Sequence, residues 1–134
     1  MKIKALTHVR LFAWPADWPA CCAFYGQILG LRPELTDEQT GVAMFKLGEV
    51  HLLVERADEQ TDETRALVGR FSGISLRVDS TAQAANRLAE LGIPVPAGPQ
   101  EQPWGDTLLH LKDPASNIIT LIEFGTESEP HRTT

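Results

Sequence analysis

Asp113-Pro114-Ala115-Ser116-Asn117-Ile118-Ile119-Thr120-Leu121-Ile122-Glu123-Phe124 decides how this chain is read. Asp-Pro followed by Ser-Asn is turn chemistry, because proline presets its own φ and Asx side chains bond the backbone ahead of them. The β-branched and aliphatic run behind it predicts a strand over 118–124. An equivalent apolar run ending in Glu, Val50-His51-Leu52-Leu53-Val54-Glu55, stands in the first half of the chain. Its overlay puts Leu52-Leu53-Val54-Glu55 on Thr120-Leu121-Ile122-Glu123.

Working outward from these strands, the first half opens on Ala5 to Phe12, where Val9 and Leu11 alternate with His8, Arg10 and Phe12. That alternation predicts a strand with two differently used faces. Asp17 as N-cap, Pro19 in the first turn and Gly30 beyond the end predict a helix to Leu29, weakened by the interior Gly26. Strands are predicted over 31–35, 40–47 and 50–55, and residues 57–70 are expected to be a polar linker. The order then restarts. Gly73 to Asp79 alternates, and Ser80 with Gln83 predicts a capped helix to Leu91 with Ala84, Leu88 and Leu91 on its buried stripe. Strands are predicted around 93–95, 107–111 and 118–124, with a polar tail over 125–134 that contains His131 and is expected to be disordered.

His8-Val9-Arg10-Leu11 over Gly73-Ile74-Ser75-Leu76, and Leu29-Gly30-Leu31 over Leu91-Gly92-Ile93, make this an internal repeat with an offset of about 65 residues. The fold class is α+β: two βαβββ modules, about 1–56 and 71–124, in one domain over 1–124 with a curled mixed sheet and a central cleft. Two short units that each leave a sheet face uncovered can bury it together or against a second subunit.

Composition narrows the function. A net charge of −6 with a pI near 5.1 argues against nucleic acid, which needs clustered Lys and Arg. No apolar run is long enough to span a bilayer and no signal-peptide pattern opens the chain, so a cytoplasmic protein without membrane partners is expected. Cys21 and Cys22, adjacent on a helix, point about 100° apart and are expected to be small buried thiols. No nucleophile with an activating base and no phosphate-cradling glycine loop is evident.

Thr7-His8-Val9, Phe24-Tyr25 with Ile28-Leu29-Gly30-Leu31, Leu88-Ala89-Glu90-Leu91-Gly92-Ile93, Gly98-Pro99, Trp104-Gly105 and the Asp113-Pro114…Asn117 turn together resemble the vicinal oxygen chelate superfamily. Its members include glyoxalases, bleomycin-resistance proteins and extradiol dioxygenases, and the Trp-Gly pair is most similar to the small bleomycin-resistance-type members. The resemblance implies the paired βαβββ fold and a homodimer. In the metalloenzymes it implies metal ligands on the first and last strand of each module, here His8, Leu52, Gly73 and Thr120. Only His8 is a good donor, and a catalytic metal site typically has three protein ligands.

No cofactor is therefore expected, a divalent metal being the alternative. That alternative is a displaced His8, Glu55, Glu123 set, which strand parity opposes and a β-bulge would restore. Taking His8 to mark the ligand face, the same parity brings in Arg10, Phe12, Leu52, Ser75, Arg77 and Thr120, and Trp104 offers a stacking surface. Arg10 and Arg77 either meet an anionic or carbonyl ligand or pair with protein carboxylates. His8 is a ligand hydrogen-bonder, an acid or base, or a structural residue. His51 is expected on the helix-facing or exposed side and His110 within reach of the ligand. The leading expectation is a metal-independent protein binding an amphipathic small molecule. Its rivals are a metal-dependent glyoxalase-type lyase or dioxygenase, and a metal-free enzyme using His8.

Overall fold

A computed structural model of the chain describes residues 1–126, and its backbone groups into two compact units. Most of the predicted tail, His131 included, lies outside the described residues. Unit 1 comprises Met1–Arg70 and, detached in sequence, the turn Asp113–Asn117; unit 2 comprises Phe71–Lys112 and the chain from Ile118.

Unit 1 contains β1 (His8–Ala13), α1 (Trp18–Ala23), β2 (Arg32–Asp37), β3 (Val42–Leu47), β4 (Val50–Arg56) and α2 (Asp62–Leu67). Its sheet runs β1-β4-β3-β2, with β1 and β4 parallel and the other pairs antiparallel. One face of that sheet is the core. Leu11, Ala13, Ala43, Phe45, Leu52 and Val54 are buried there with Trp18, Cys21, Phe24 and Tyr25 of the helical segment. Trp18 Nε1 donates to the Val54 carbonyl at 3.0 Å, which ties the helix to the sheet.

The predicted single helix changes pitch. α1 passes into a π-helical turn over Phe24–Ile28, where the Leu29 amide reaches the Phe24 carbonyl at 2.9 Å, and Gly30 then stops it at φ 71°. Gly26, a weak point for a helix, packs against the sheet: a Cβ there would lie 3.2 Å from Phe45 Cε1. Asp17 occupies the N-cap without a side-chain capping bond. Within the segment expected to be a polar linker, the short helix α2 forms. Thr61 Oγ1 accepts from the Thr64 amide at 3.1 Å and Thr64 Oγ1 from the Thr61 amide at 2.9 Å, a reciprocal box that offsets a polar composition.

The Asp113–Asn117 turn is the hub of unit 1. Asp113 Oδ1 accepts the amides of Ala115 and Asn117, both at 2.9 Å, and Ser116 takes φ 67° to close the loop. Tyr25 donates its hydroxyl to Asp113 Oδ2 at 2.7 Å. Burial, reinforced by the Asp113 charge, pushes the Tyr25 hydroxyl well above its ordinary pKa and keeps it a donor. Asn117 Nδ2 donates to the Phe12 carbonyl at 2.9 Å and to Asp113 Oδ2 at 3.0 Å, while Oδ1 accepts the Gly69 amide at 2.9 Å.

Both cysteines are free thiols. Cys21 is fully buried, and burial with the nearby Asp113 charge pushes its thiol up to about 12; burial raises Cys22 as well. An acid whose pKa rises stays protonated through neutral and mildly alkaline pH, and the thiolate is the nucleophile. Titration of the folded protein with a disulfide reagent at pH 8 is therefore expected to spare Cys21 and to modify the half-buried Cys22 slowly. Both should react in denaturant; fast reaction of two thiols in the native state would contradict this packing.

Unit 2 contains β5 (Phe71–Arg77), α3 (Thr81–Glu90), β6 (Gln100–Glu101), β7 (Thr107–Lys112) and β8 (Ile118–Glu123), ordered β5-β8-β7-β6. The parallel β5·β8 pair repeats the β1·β4 pair of unit 1, with one difference. Phe71 pairs Ile118 but Ser75 pairs Thr120, so β5 carries a bulge that contains Gly73 at φ 71°. Ser80 Oγ caps α3 through the Gln83 amide at 3.1 Å. Leu109, Leu111, Ile119, Leu121 and Leu88 form the core. Two expectations are corrected: Leu91 is 42% exposed rather than on the buried stripe, and no strand forms around 93–95. Pro94 and Pro96 cannot donate to a ladder, and the short edge strand forms at Gln100–Glu101 instead.

Candidate functional site

Each sheet has a helix-covered face and an open one. In unit 1 the pairing of His8 with His51, Arg10 with Leu53 and Phe12 with Glu55 assigns the open face, because paired residues of neighbouring strands share a side. The His8 and His51 rings stack with centroids 5.4 Å apart, as that requires. Leu52 is therefore on the wrong side for a ligand residue: it is fully buried in the core, and Leu53 takes its place. The same one-residue shift moves His51 from the side opposite His8 to the open face that His8 shares.

Glu55 likewise shares the side of His8 without any bulge, because β4 pairs β1 and β3 without interruption. Its carboxylate is engaged. Arg10 Nε donates to Glu55 Oε2 and Arg10 Nη2 to Oε1 at 3.0 Å, a two-point pair that makes the guanidinium still harder to deprotonate. Arg10 thus pairs with a protein carboxylate, and its guanidinium lies 5.5 Å from the Phe12 ring centroid. His8 Nδ1 lies 2.9 Å from Thr7 Oγ1, and His51 Nε2 lies 2.9 Å from Glu34 Oε2.

In unit 2 the open face carries Ser75, Thr120 and His110 in one cross-strand row. Thr120, buried to 4% exposure, holds its hydroxyl 2.8 Å from His110 Nδ1. Phe71 is 62% exposed and lies edge-on to His110 with centroids 6.5 Å apart. A hollow of about 300 Å³ is bordered by Pro94, Pro96, His110 and Ile118. The Arg77 guanidinium lies 4.3 Å from the Phe124 ring centroid. Trp104 is 55% exposed, its Nε1 donating to the fully buried Asp106 at 3.1 Å. Asp106 also accepts the Gly125 amide at 3.0 Å, so the indole is anchored by its polar edge.

Glu123 belongs to a different task. Its Oε1 accepts the Thr81 amide at 2.7 Å and the Thr81 hydroxyl at 3.1 Å, capping α3. The repeat is now aligned by pairing rather than by its closing Glu: Leu53 corresponds to Thr120 and Glu55 to Ile122. The four metal positions implied by the resemblance thus become His8, Leu53, Gly73 and Thr120, and these do not fit a metal. Leucine and glycine offer no side-chain donor, and the Thr120 hydroxyl is neutral and already bonded. Among the described residues no group of three or more His, Cys, Asp or Glu is placed to hold a metal ion.

Comparison with known structures finds the same fold in proteins of low sequence identity. A lactoylglutathione lyase from Agrobacterium tumefaciens is 24% identical with a TM-score of 0.70, the match covering 91% of this chain and 95% of that one. A glyoxalase/bleomycin resistance protein/dioxygenase superfamily member from Sphaerobacter thermophilus is 20% identical with a TM-score of 0.73, covering 91% and 98%. TnmS3, an antibiotic binding protein from Streptomyces sp. CB03234, is 22% identical with a TM-score of 0.69, covering 92% and 98%. No curated protein matches the sequence. The Glyoxalase family description matches residues 5–121, nearly the whole described chain. With the repeated β-α-β-β-β order and the Asp113–Asn117 turn, this chain belongs to the glyoxalase/bleomycin resistance protein/dioxygenase superfamily.

Proposed function

We propose that this chain binds an amphipathic small molecule on an open sheet face and does so without a metal ion. The observation that carries the reading is the donor set at the four implied ligand positions. One imidazole, one aliphatic side chain, one glycine and a hydroxyl committed to His110 supply no charged oxygen or sulfur. Each open face has instead the composition of a ligand surface: Leu53 and Met44 beside His8 and Arg10 on the sheet of unit 1, and Phe71 beside Ser75, Arg77 and His110 on the sheet of unit 2. An antibiotic binding protein of the same fold gives the reading a precedent. The proposal includes a homodimer in the cytoplasm with no nucleic-acid partner; among the described residues no helix is long and apolar enough to cross a membrane.

The second reading, a lyase or dioxygenase with a displaced His8/Glu55/Glu123 site, draws support from one observation, that Glu55 shares the open face with His8. Two others oppose it: Glu55 is held by Arg10 and Glu123 caps α3. A metal-free enzyme using His8 as acid or base would show turnover that His8→Ala abolishes.

The deciding measurement is elemental metal content of protein purified without chelator and without a metal-affinity tag, with His8→Ala as control. Trace metal only is expected, unchanged in the control and after incubation with zinc, nickel, manganese or iron(II). Near-stoichiometric metal that His8→Ala removes would make the enzyme reading the leading one.

A further inference from the structure

One row of residues crosses all four strands of unit 1 on the open face. His8 pairs His51, His51 pairs Lys46, and Lys46 pairs Arg32. Every member of this row carries nitrogen donors, and two are permanently charged. The β2 bulge between Pro33 and Leu35 adds a single acid, Glu34, which holds His51 at 2.9 Å. Among the described residues neither Arg32 nor Lys46 has an ion-pair partner, and His8 Nε2 has no hydrogen-bond partner.

The next row along the same face differs in kind. Arg10 pairs Leu53, Leu53 pairs Met44, and Met44 pairs Leu35, which is 49% exposed. With Arg10 already neutralised by Glu55, this row is an apolar stripe. Alternate residues of a strand are about 7 Å apart, so basic row and apolar stripe lie within the span of one bicyclic aromatic molecule.

We infer that the ligand class of this face is an amphipathic anion: an apolar or aromatic body on Leu53, Met44 and Leu35, carrying a carboxylate, sulfonate or phosphate that meets the neighbouring cations Arg32 and Lys46. The inference rests on the small-molecule-binding reading and adds the sign of the ligand's charge. The chain's net charge of −6 opposes an anion at long range, so the selection comes from the local cations of this row, at short range. Charge-assisted hydrogen bonds from such donors are the stronger kind and supply orientation as well as affinity.

The test uses two fluorescent probes of one shape, 1-anilinonaphthalene-8-sulfonate and its uncharged counterpart N-phenyl-1-naphthylamine. Titrations compare the parent protein, the double variant Arg32→Gln/Lys46→Gln, and Leu53→Asp, each checked by thermal melting to be folded. The double variant is expected to bind the sulfonate about 10-fold more weakly, while binding of the neutral probe stays within about 2-fold. Leu53→Asp should weaken both probes. Equal effects of the double variant on the two probes, or none on the sulfonate, would overturn the anion inference. If Leu53→Asp still weakened the neutral probe, the small-molecule reading would survive that failure. Binding of neither probe to the parent protein would overturn both.

Discussion

Asn117→Ala is expected to destabilise the folded protein by about 2–4 kcal/mol, because one side chain satisfies four backbone or carboxylate partners at once. Alanine takes their Asn117 partner from the Phe12 carbonyl and the Gly69 and Arg70 amides, and one donor from the buried Asp113 carboxylate. Each buried group left unmade costs about 1–3 kcal/mol, discounted here because the Phe12 and Gly69 ends are only part-buried and water reaches them. For a chain of this size the loss corresponds to a midpoint lower by about 10 °C in a thermal melt. Tyr25→Phe removes a single hydrogen bond to the same carboxylate and is expected to cost about half as much. The network is refuted as the hub of unit 1 if Asn117→Ala melts with the parent, or if Tyr25→Phe is the more damaging of the two.

The second prediction separates two adjacent leucines. Leu52→Ala is expected to cost about 2–5 kcal/mol, since Leu52 is fully buried opposite Phe45 and truncation opens a cavity in the core. Leu53→Ala, half-buried on the open face, is expected to cost about 1 kcal/mol or less and to weaken probe binding instead. Chemical denaturation of the two variants, with unchanged m-values, reads the difference directly. Similar losses, or a larger loss for Leu53→Ala, would reverse the faces of β4. His51 and Glu55 would then leave the surface proposed for the ligand.

The contrast shows where local pattern stopped being informative. On β1, polar and apolar residues alternate, so the sides of His8, Arg10 and Phe12 were legible. On β4 the run Val50 to Val54 is apolar on both faces apart from His51, and a run without alternation has no phase. Aligning it with β8 through the shared closing Glu placed Leu52 opposite Thr120. Hydrogen-bond pairing with β1 places Leu53 there. A one-residue slip exchanges every side chain of a strand between faces, and that single slip accounts for the misplacement of Leu52, His51 and Glu55 together.

Local chemistry determined the elements and their order: the Asp-Pro…Ser-Asn turn, the Ser80 cap, the glycine stops at 30 and 92 and the repeat of one strand–helix–three-strand pattern. These depend on interactions within a few residues of chain, which sequence displays directly. The capping box of α2 is equally local, but its polar segment has no apolar periodicity to mark a helix. Partners distant in sequence were decided only by the tertiary structure. Arg10 meets Glu55 across 45 residues, Tyr25 meets Asp113 across 88, and Asn117 reaches Phe12 across 105. The cross-strand row from His8 to Arg32 exists only once β1, β4, β3 and β2 are in register. Whether a histidine, a glutamate or a leucine faces ligand or core is a property of that pairing, because the period-2 geometry of a strand assigns sides only after a neighbour supplies the phase.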